Sequence, residues 1–133
     1  MIGGVADTHA ALWYLFGDAN LSRAAADFIQ NAANWRLKVA LSAITLAEVV
    51  YLVEKNRLPA AAYEELTRAI ADPEHVFAEA ALTAGIVQSM RQVPRAAIPD
   101  MPDRIVAATA IYFNVPLITR DERIRSATVQ TVW

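Results

Sequence analysis

Short apolar runs of strand length recur along this chain, each delivering the backbone to a segment with helical spacing, and several junctions carry an acid. Ile2 to Ala6 is the first run. It ends at Asp7-Thr8, a pair able to cap a helix expected over Ala10 to Phe16, which Gly17 stops. Ser22 caps a second helix, in which Leu21, Ala24, Ala25, Phe28, Ile29 and Ala32 keep helical spacing as far as Asn34. Val39 to Leu41, bounded by Ser42, reads as a second strand, and Thr45 to Glu54 as a helix apolar on almost every side. Pro59 opens a helix over Ala60 to Ala71, which Asp72-Pro73 closes; Val76 to Ala78 is a third short strand, and Ala81 to Val93 the next helix. Pro94, Pro99 and Pro102 mark an irregular loop, placed as a site loop, from which Asp103 to Phe113 leaves as an apolar helix broken by Asn114 and Pro116. A fourth strand spans Pro116 to Thr119. Asp121 to Ser126 reads as a turn or short helix, and Val129 to Val132 as a terminal strand.

Strands alternating with helices predict an α/β, doubly wound fold: a mostly parallel sheet with right-handed crossovers and helices on both faces. At 133 residues, without an internal repeat or linker, the chain reads as a single domain over residues 1–133. Its hydrophobic fraction of 56% is high, yet charges interrupt every apolar run well before the roughly 18 residues of a bilayer span. The expectation is therefore no membrane partner, and the start of the sequence lacks the basic and apolar regions of a secretory signal, so the location expected is cytoplasmic. The absence of cysteine removes disulfides, thiolate zinc sites and cysteine nucleophiles, leaving carboxylates and two histidines as metal ligands. A net charge of −2 provides no global basic field, so contact with nucleic acid would need a local basic patch or a bound cation.

In an open parallel sheet, ligands bind beyond the carboxyl ends of the strands. Asp7 ends the first strand, Glu48 lies about one turn into the helix after the second, Asp103 opens a helix, and Asp121 follows the fourth strand. All four acids can reach one edge. Each alone has an ordinary explanation as a cap, a turn residue or half of an ion pair. Together they would repel one another unless a divalent cation compensates them, and Mg2+ or Mn2+ is the hard, oxygen-seeking choice. His9 and His75 are far apart and lack a supporting motif, which makes a zinc site or a histidine base a weak reading. Trp13, Tyr14 and Phe16 read as core or dimer surface rather than as base-stacking platforms.

The blocks Val5-Ala6-Asp7-Thr8-His9-Ala10-Ala11-Leu12-Trp13 and Ser42-Ala43-Ile44-Thr45-Leu46-Ala47-Glu48-Val49 resemble a PIN domain. Asp100-Met101-Pro102-Asp103-Arg104-Ile105-Val106-Ala107-Ala108-Thr109-Ala110 and Leu117-Ile118-Thr119-Arg120-Asp121 resemble that family's third and fourth acidic blocks in order. Each block is weak alone; four in order across essentially the whole chain are specific. The chain is most similar to the VapC-type toxins of toxin–antitoxin pairs. That resemblance implies a three-layer sandwich and a metal-dependent endoribonuclease with the quartet Asp7, Glu48, Asp103 and Asp121. It makes Asp7 and Asp103 the foremost direct metal ligands, and Thr8 and Thr119 hydroxyl positions that orient water or a carboxylate. Asp100, three residues before Asp103, is a second acid at the same place; Asp103 is preferred because the family's acid opens the small-residue helix. Arg104, Arg120, Arg123 and Arg125 flank the third and fourth acids as phosphate contacts for an RNA substrate. Also implied are a homodimer and a small cognate antitoxin, with the segment around Trp13 and that from Ala60 to Ile70 as clamp surfaces.

Three rivals fit less well. Receiver and haloacid-dehalogenase-like phosphotransfer domains also place an aspartate after a first strand, but the second acid they expect is His9 here, and Lys38 and Lys55 do not follow a late strand. Gly3, Gly4, Gly17 and Gly85 form no phosphate-cradling loop. A PIN fold kept only as a binding module would be free to lose acids, and here all four positions are filled.

Overall fold

A computed structural model of the chain describes residues 1–125 and 129–133. Its element order is β1 (Ile2–Ala6), α1 (Thr8–Phe16), α2 (Arg23–Asn34), β2 (Lys38–Ser42), α3 (Ala43–Glu54), α4 (Ala60–Ala71), β3 (Phe77–Ala80), α5 (Ala84–Ser89), α6 (Met101–Phe113), β4 (Leu117–Ile118), α7 (Glu122–Arg125) and β5 (Thr131–Val132). A 3-10 turn at Met90–Gln92 extends α5. The strands form one sheet in the order β3-β2-β1-β4-β5, and every pairing is parallel. All carboxyl ends therefore share one edge.

Side-chain alternation along the strands divides the core in two. Ala6, Leu41 and Ile118 point to a face covered by α1, α2 and α4, where Leu12, Ile29 and Leu66 are buried. Val5, Ala40 and Leu117 point to the other face, covered by α5 and α6 through Ile86, Val106 and Ala110. The result is a three-layer α/β sandwich. Gly4 lets α2 approach the sheet closely: a Cβ there would stand 2.7 Å from the Phe28 ring.

Some boundaries differ from the sequence expectation. The third strand runs on to Ala80, and Thr83, whose hydroxyl accepts the Ile86 N–H, starts α5 only at Ala84. The expected Ala81–Val93 helix is accordingly a short helix plus a 3-10 turn. Helix α6 begins at Met101 rather than Asp103, because Asp100 is its cap and accepts the Asp103 N–H at 3.0 Å. Helix α3 is not buried on most faces: Ala47 is exposed, Val50 is 38% and Tyr51 55% exposed. That stripe lies at helical spacing on one side of α3. Ser126, the end of the expected turn after Asp121, lies outside the described residues. Among the described residues no helix is long and apolar enough to cross a membrane.

Candidate active site

Four segments at the carboxyl edge of the sheet meet in a cleft of about 340 Å³, lined by Asp7, Thr8, His9, Trp13, Glu48, Asp100, Asp103, Val106, Arg120 and Asp121. The chain leaves β1 at Asp7, whose Oδ1 accepts the Ala10 N–H at 2.9 Å and so caps α1. That cap fixes the carboxylate and turns Thr8 inward. Thr8, buried, donates from Oγ1 to Glu48 Oε1 at 2.6 Å and lies 3.3 Å from the buried hydroxyl of Thr45. Having a single proton, Thr8 spends it on the carboxylate and accepts from Thr45. Glu48, part-buried on α3, is thereby held toward the start of α1. Thr119, wholly buried after β4, accepts the Asp121 N–H at 3.0 Å and hydrogen-bonds the Asp7 carboxylate. Each hydroxyl expected to support the acids touches one of them.

The electrostatics record the crowding. Burial raises the pKa of Asp7, and its hydrogen bonds to Thr119 and Ala10 only partly offset this. Asp103 is pushed up to about 6, first by burial and then by the like charges of Asp100, Asp121, Glu48 and Asp7. For Asp121 burial acts upward but is outweighed by Arg123, which bonds it through side chain and backbone, so its pKa falls below the usual carboxylate value. The Arg123 guanidinium stands 3.3 Å from Asp121 Oδ2 and 4.0 Å from Asp103 Oδ2, and its own pKa is raised chiefly by Asp121. It partly neutralises both acids.

The four acids offer only oxygen donors, as a hard divalent ion requires. Among the described residues, however, no three His, Asp or Glu side chains stand close enough to grip one ion directly. Direct ligation by the whole quartet is therefore not the geometry here: Glu48 is engaged by Thr8 and Asp121 by Arg123. The residues fit an ion of the Mg2+ kind, which keeps several waters and takes one or two carboxylates directly.

The four arginines part company. Arg120 lines the cleft and Arg123 pairs with its acids. Arg104 turns away, donating from its guanidinium to the carbonyls of Met90 and Val93 at 3.0–3.2 Å, so its expected phosphate role is corrected to tying the 3-10 turn to α6. Arg125 is exposed at the end of α7 and does not line the cleft. His75 precedes β3 at the opposite edge and accepts the Phe77 N–H on Nδ1. The aromatic trio also divides: Tyr14 packs on Phe77, Phe16 is half exposed, and Trp13 is a wall of the acidic cleft. Sequence reasoning missed the position of Trp13 and His9. The available signal was that both follow Asp7 on the helix it caps, four residues apart and hence on one face.

The profile of the family described as PIN domain matches residues 5–129. The chain belongs to the PIN-domain family. Over 124 residues it is 31% identical to Ribonuclease VapC22 of Mycobacterium tuberculosis, a match covering 90% of this chain and 88% of that protein. Two solved structures share the PIN-like fold over 98% of this chain and 97% of their own. They are VapBC2 from Rickettsia felis bound to a DNA fragment from its promoter (TM-score 0.71, 17% identity) and a toxin–antitoxin complex from Klebsiella pneumoniae (TM-score 0.65, 21% identity).

Proposed function

We propose that this PIN domain is an endoribonuclease, the toxin of a VapBC-type toxin–antitoxin pair, and that it hydrolyses RNA phosphodiester bonds with Mg2+ or Mn2+, residues 1–133 acting as one domain. The observation that carries the reading is the convergence of Asp7, Glu48, Asp103 and Asp121 from four chain segments in one cleft, with burial and like charge raising the pKa of Asp103. Its relative's name, Ribonuclease VapC22, supports the same chemistry.

Asp7 and Asp103 would hold the ion, with Glu48 and Asp121 completing its acidic surroundings. Thr8 and Thr119 orient Glu48 and Asp7. When bound, a divalent cation supplies charge that stabilises the phosphate oxygens in the transition state and makes water a competent nucleophile at neutral pH. Arg120 and Arg123 would meet the flanking phosphates, Arg123 exchanging its carboxylate partners for phosphate oxygens. Attack of water on phosphorus breaks the bond to the 3′ oxygen, leaving a 5′-phosphate and a 3′-hydroxyl.

The antitoxin is a small protein whose apolar helix fits the groove between α1 and α4, lined by Leu12, Phe16, Leu58, Pro59 and Ala62 and sharing Trp13 and His9 with the acidic cleft. The homodimer uses exposed apolar side chains such as Val50 and Tyr51. A monomer at micromolar concentration in size-exclusion chromatography would count against it.

The test incubates purified protein with structured RNA and Mn2+, beside EDTA and Asp7→Asn controls. Cleavage confined to wild type with metal is expected, with 5′-phosphate ends. Equal behaviour of wild type and Asp7→Asn would favour a binding module, and a 2′,3′-cyclic phosphate product formed in EDTA would contradict the mechanism.

A further inference from the structure

Arg120 stands among carboxylates and pairs with none of them. Among the described residues no ion pair involves it; its guanidinium carbon instead lies over the indole of Trp13, 4.6 Å from the ring centroid. Both residues line the acidic cleft. Arg123 meets the acids in the opposite manner, bridging Asp121 toward Asp103. Trp13 is itself steadied, with Trp133 at 5.9 Å and 57° and the exposed His9 ring at 5.6 Å and 48°. An exposed cation–π contact adds little to fold stability, so the fold does not require this arrangement. What it creates is a shelf of aromatic and guanidinium surface at the rim of a carboxylate cluster.

Nucleobases stack on such surfaces, and stacking tolerates sequence because every base has a π face. A base is uncharged and can lie beside the acids without the repulsion a phosphate would meet there. A paired base has its faces covered by its neighbours in the duplex. The cleft's volume, about 340 Å³, falls in the range of small-ligand sites. We propose that Trp13 and Arg120 form a stacking shelf that seats one unpaired nucleobase beside the carboxylates, selecting which phosphodiester of a flexible strand meets them. The shelf deepens the ribonuclease reading and rests on it for its substrate. Trp13 and Arg120 are specificity-determining residues that hold neither the ion nor a reacting proton.

Trp13 also borders the apolar groove between α1 and α4, where a protein partner would use it. Arg120 decides for RNA, since it lines the acidic cleft and is absent from the lining of the groove.

The test uses the full chain carrying Asp7→Asn to prevent cleavage, and a single-stranded RNA oligonucleotide containing 2-aminopurine, whose fluorescence is quenched by stacking. Binding is expected to quench the probe, and the same strand annealed to its complement to show no added quench. Adding Trp13→Leu abolishes the quench and weakens binding about 5- to 100-fold, while Trp13→Phe restores the quench. Arg120→Gln changes an exposed side chain, so it carries the test should Trp13→Leu misfold; it is expected to weaken both readouts severalfold. In the cleaving protein Trp13→Leu raises KM with kcat little changed. Unchanged quench and affinity in Trp13→Leu and Arg120→Gln overturn the shelf. So does a loss confined to binding of an apolar helical peptide in the α1–α4 groove. Quenching without any Mn2+-dependent cleavage by wild type would sink the nuclease reading and leave the shelf standing; cleavage without quenching would do the reverse.

Discussion

At Asp103 burial and like charge act in the same direction. Its pKa of about 6 exceeds its ordinary value of 3.8, because burial and four neighbouring carboxylates disfavour its charge. A carboxyl whose folded pKa is raised stabilises the fold only while protonated, so its contribution is present below about 3.8 and lost as pH rises through 6. Asp7 is shifted in the same direction. Asp121 is shifted down, and its favourable contribution persists until pH falls below 3.8, outside that window. In EDTA, therefore, Asp103 and Asp7 should pull the melting temperature down between pH 4 and 7, against the opposite pull of His75, whose pKa burial lowers. Asp103→Asn should flatten that slope and raise the melting temperature by about 3 °C at pH 7.5, while lowering cleavage on the order of 100-fold or more. A second prediction concerns Arg123, which neutralises the acids from solvent. Arg123→Gln should tighten Mn2+ binding by about 2- to 5-fold, read as a larger thermal upshift at limiting Mn2+. The meeting of Asp7, Glu48 and Asp121 in one cleft was legible because parallel strands bring the segments that follow them to one edge. Arg104 was not, since its carbonyl partners lie 11 and 14 residues away in an irregular segment that no periodicity describes.

At the scale of elements, helices α1 and α6 both begin with an aspartate cap, and the caps place the acids. Asp7 is cap and cleft residue at once, while on α6 the roles are split between Asp100 as cap and Asp103 in the first turn. The sequence reading chose Asp103 and yet began the helix there, because a Pro at the second helical position concealed the earlier start. Helix α3 looked buried all round because its apolar letters run nearly unbroken; packing against α4 and α6 leaves one stripe uncovered. The 3-10 turn after α5 is tied to α6 by Arg104. Arg104→Ala should therefore cost about 1–3 kcal/mol in urea unfolding by leaving those carbonyls unsatisfied. The salt dependence of RNA binding should stay the same, which distinguishes a tie from a phosphate contact.

For the molecule as a whole, the alternation of strand and helix foretold the parallel sheet, and the sheet gathers the acids by bringing every strand's carboxyl end to one edge. Less legible were the contacts that engage two of the carboxylates, Thr8 with Glu48 and Arg123 with Asp121. With a net charge of −2, and Arg120 and Arg123 the cations at the cleft among the described residues, the proposed RNA binding would draw on few cations. Log affinity for single-stranded RNA in Mn2+ should fall against log salt with a slope of about −1.4, from two phosphate contacts. The central claim is that these scattered carboxyls act together on one divalent-ion centre, and direct Mn2+ titration followed by electron paramagnetic resonance reaches it most directly. Wild type is expected to deplete free Mn2+ saturably, with the bound fraction lost in both Asp7→Asn and Asp103→Asn. Equal Mn2+ binding by wild type and the two variants would contradict it.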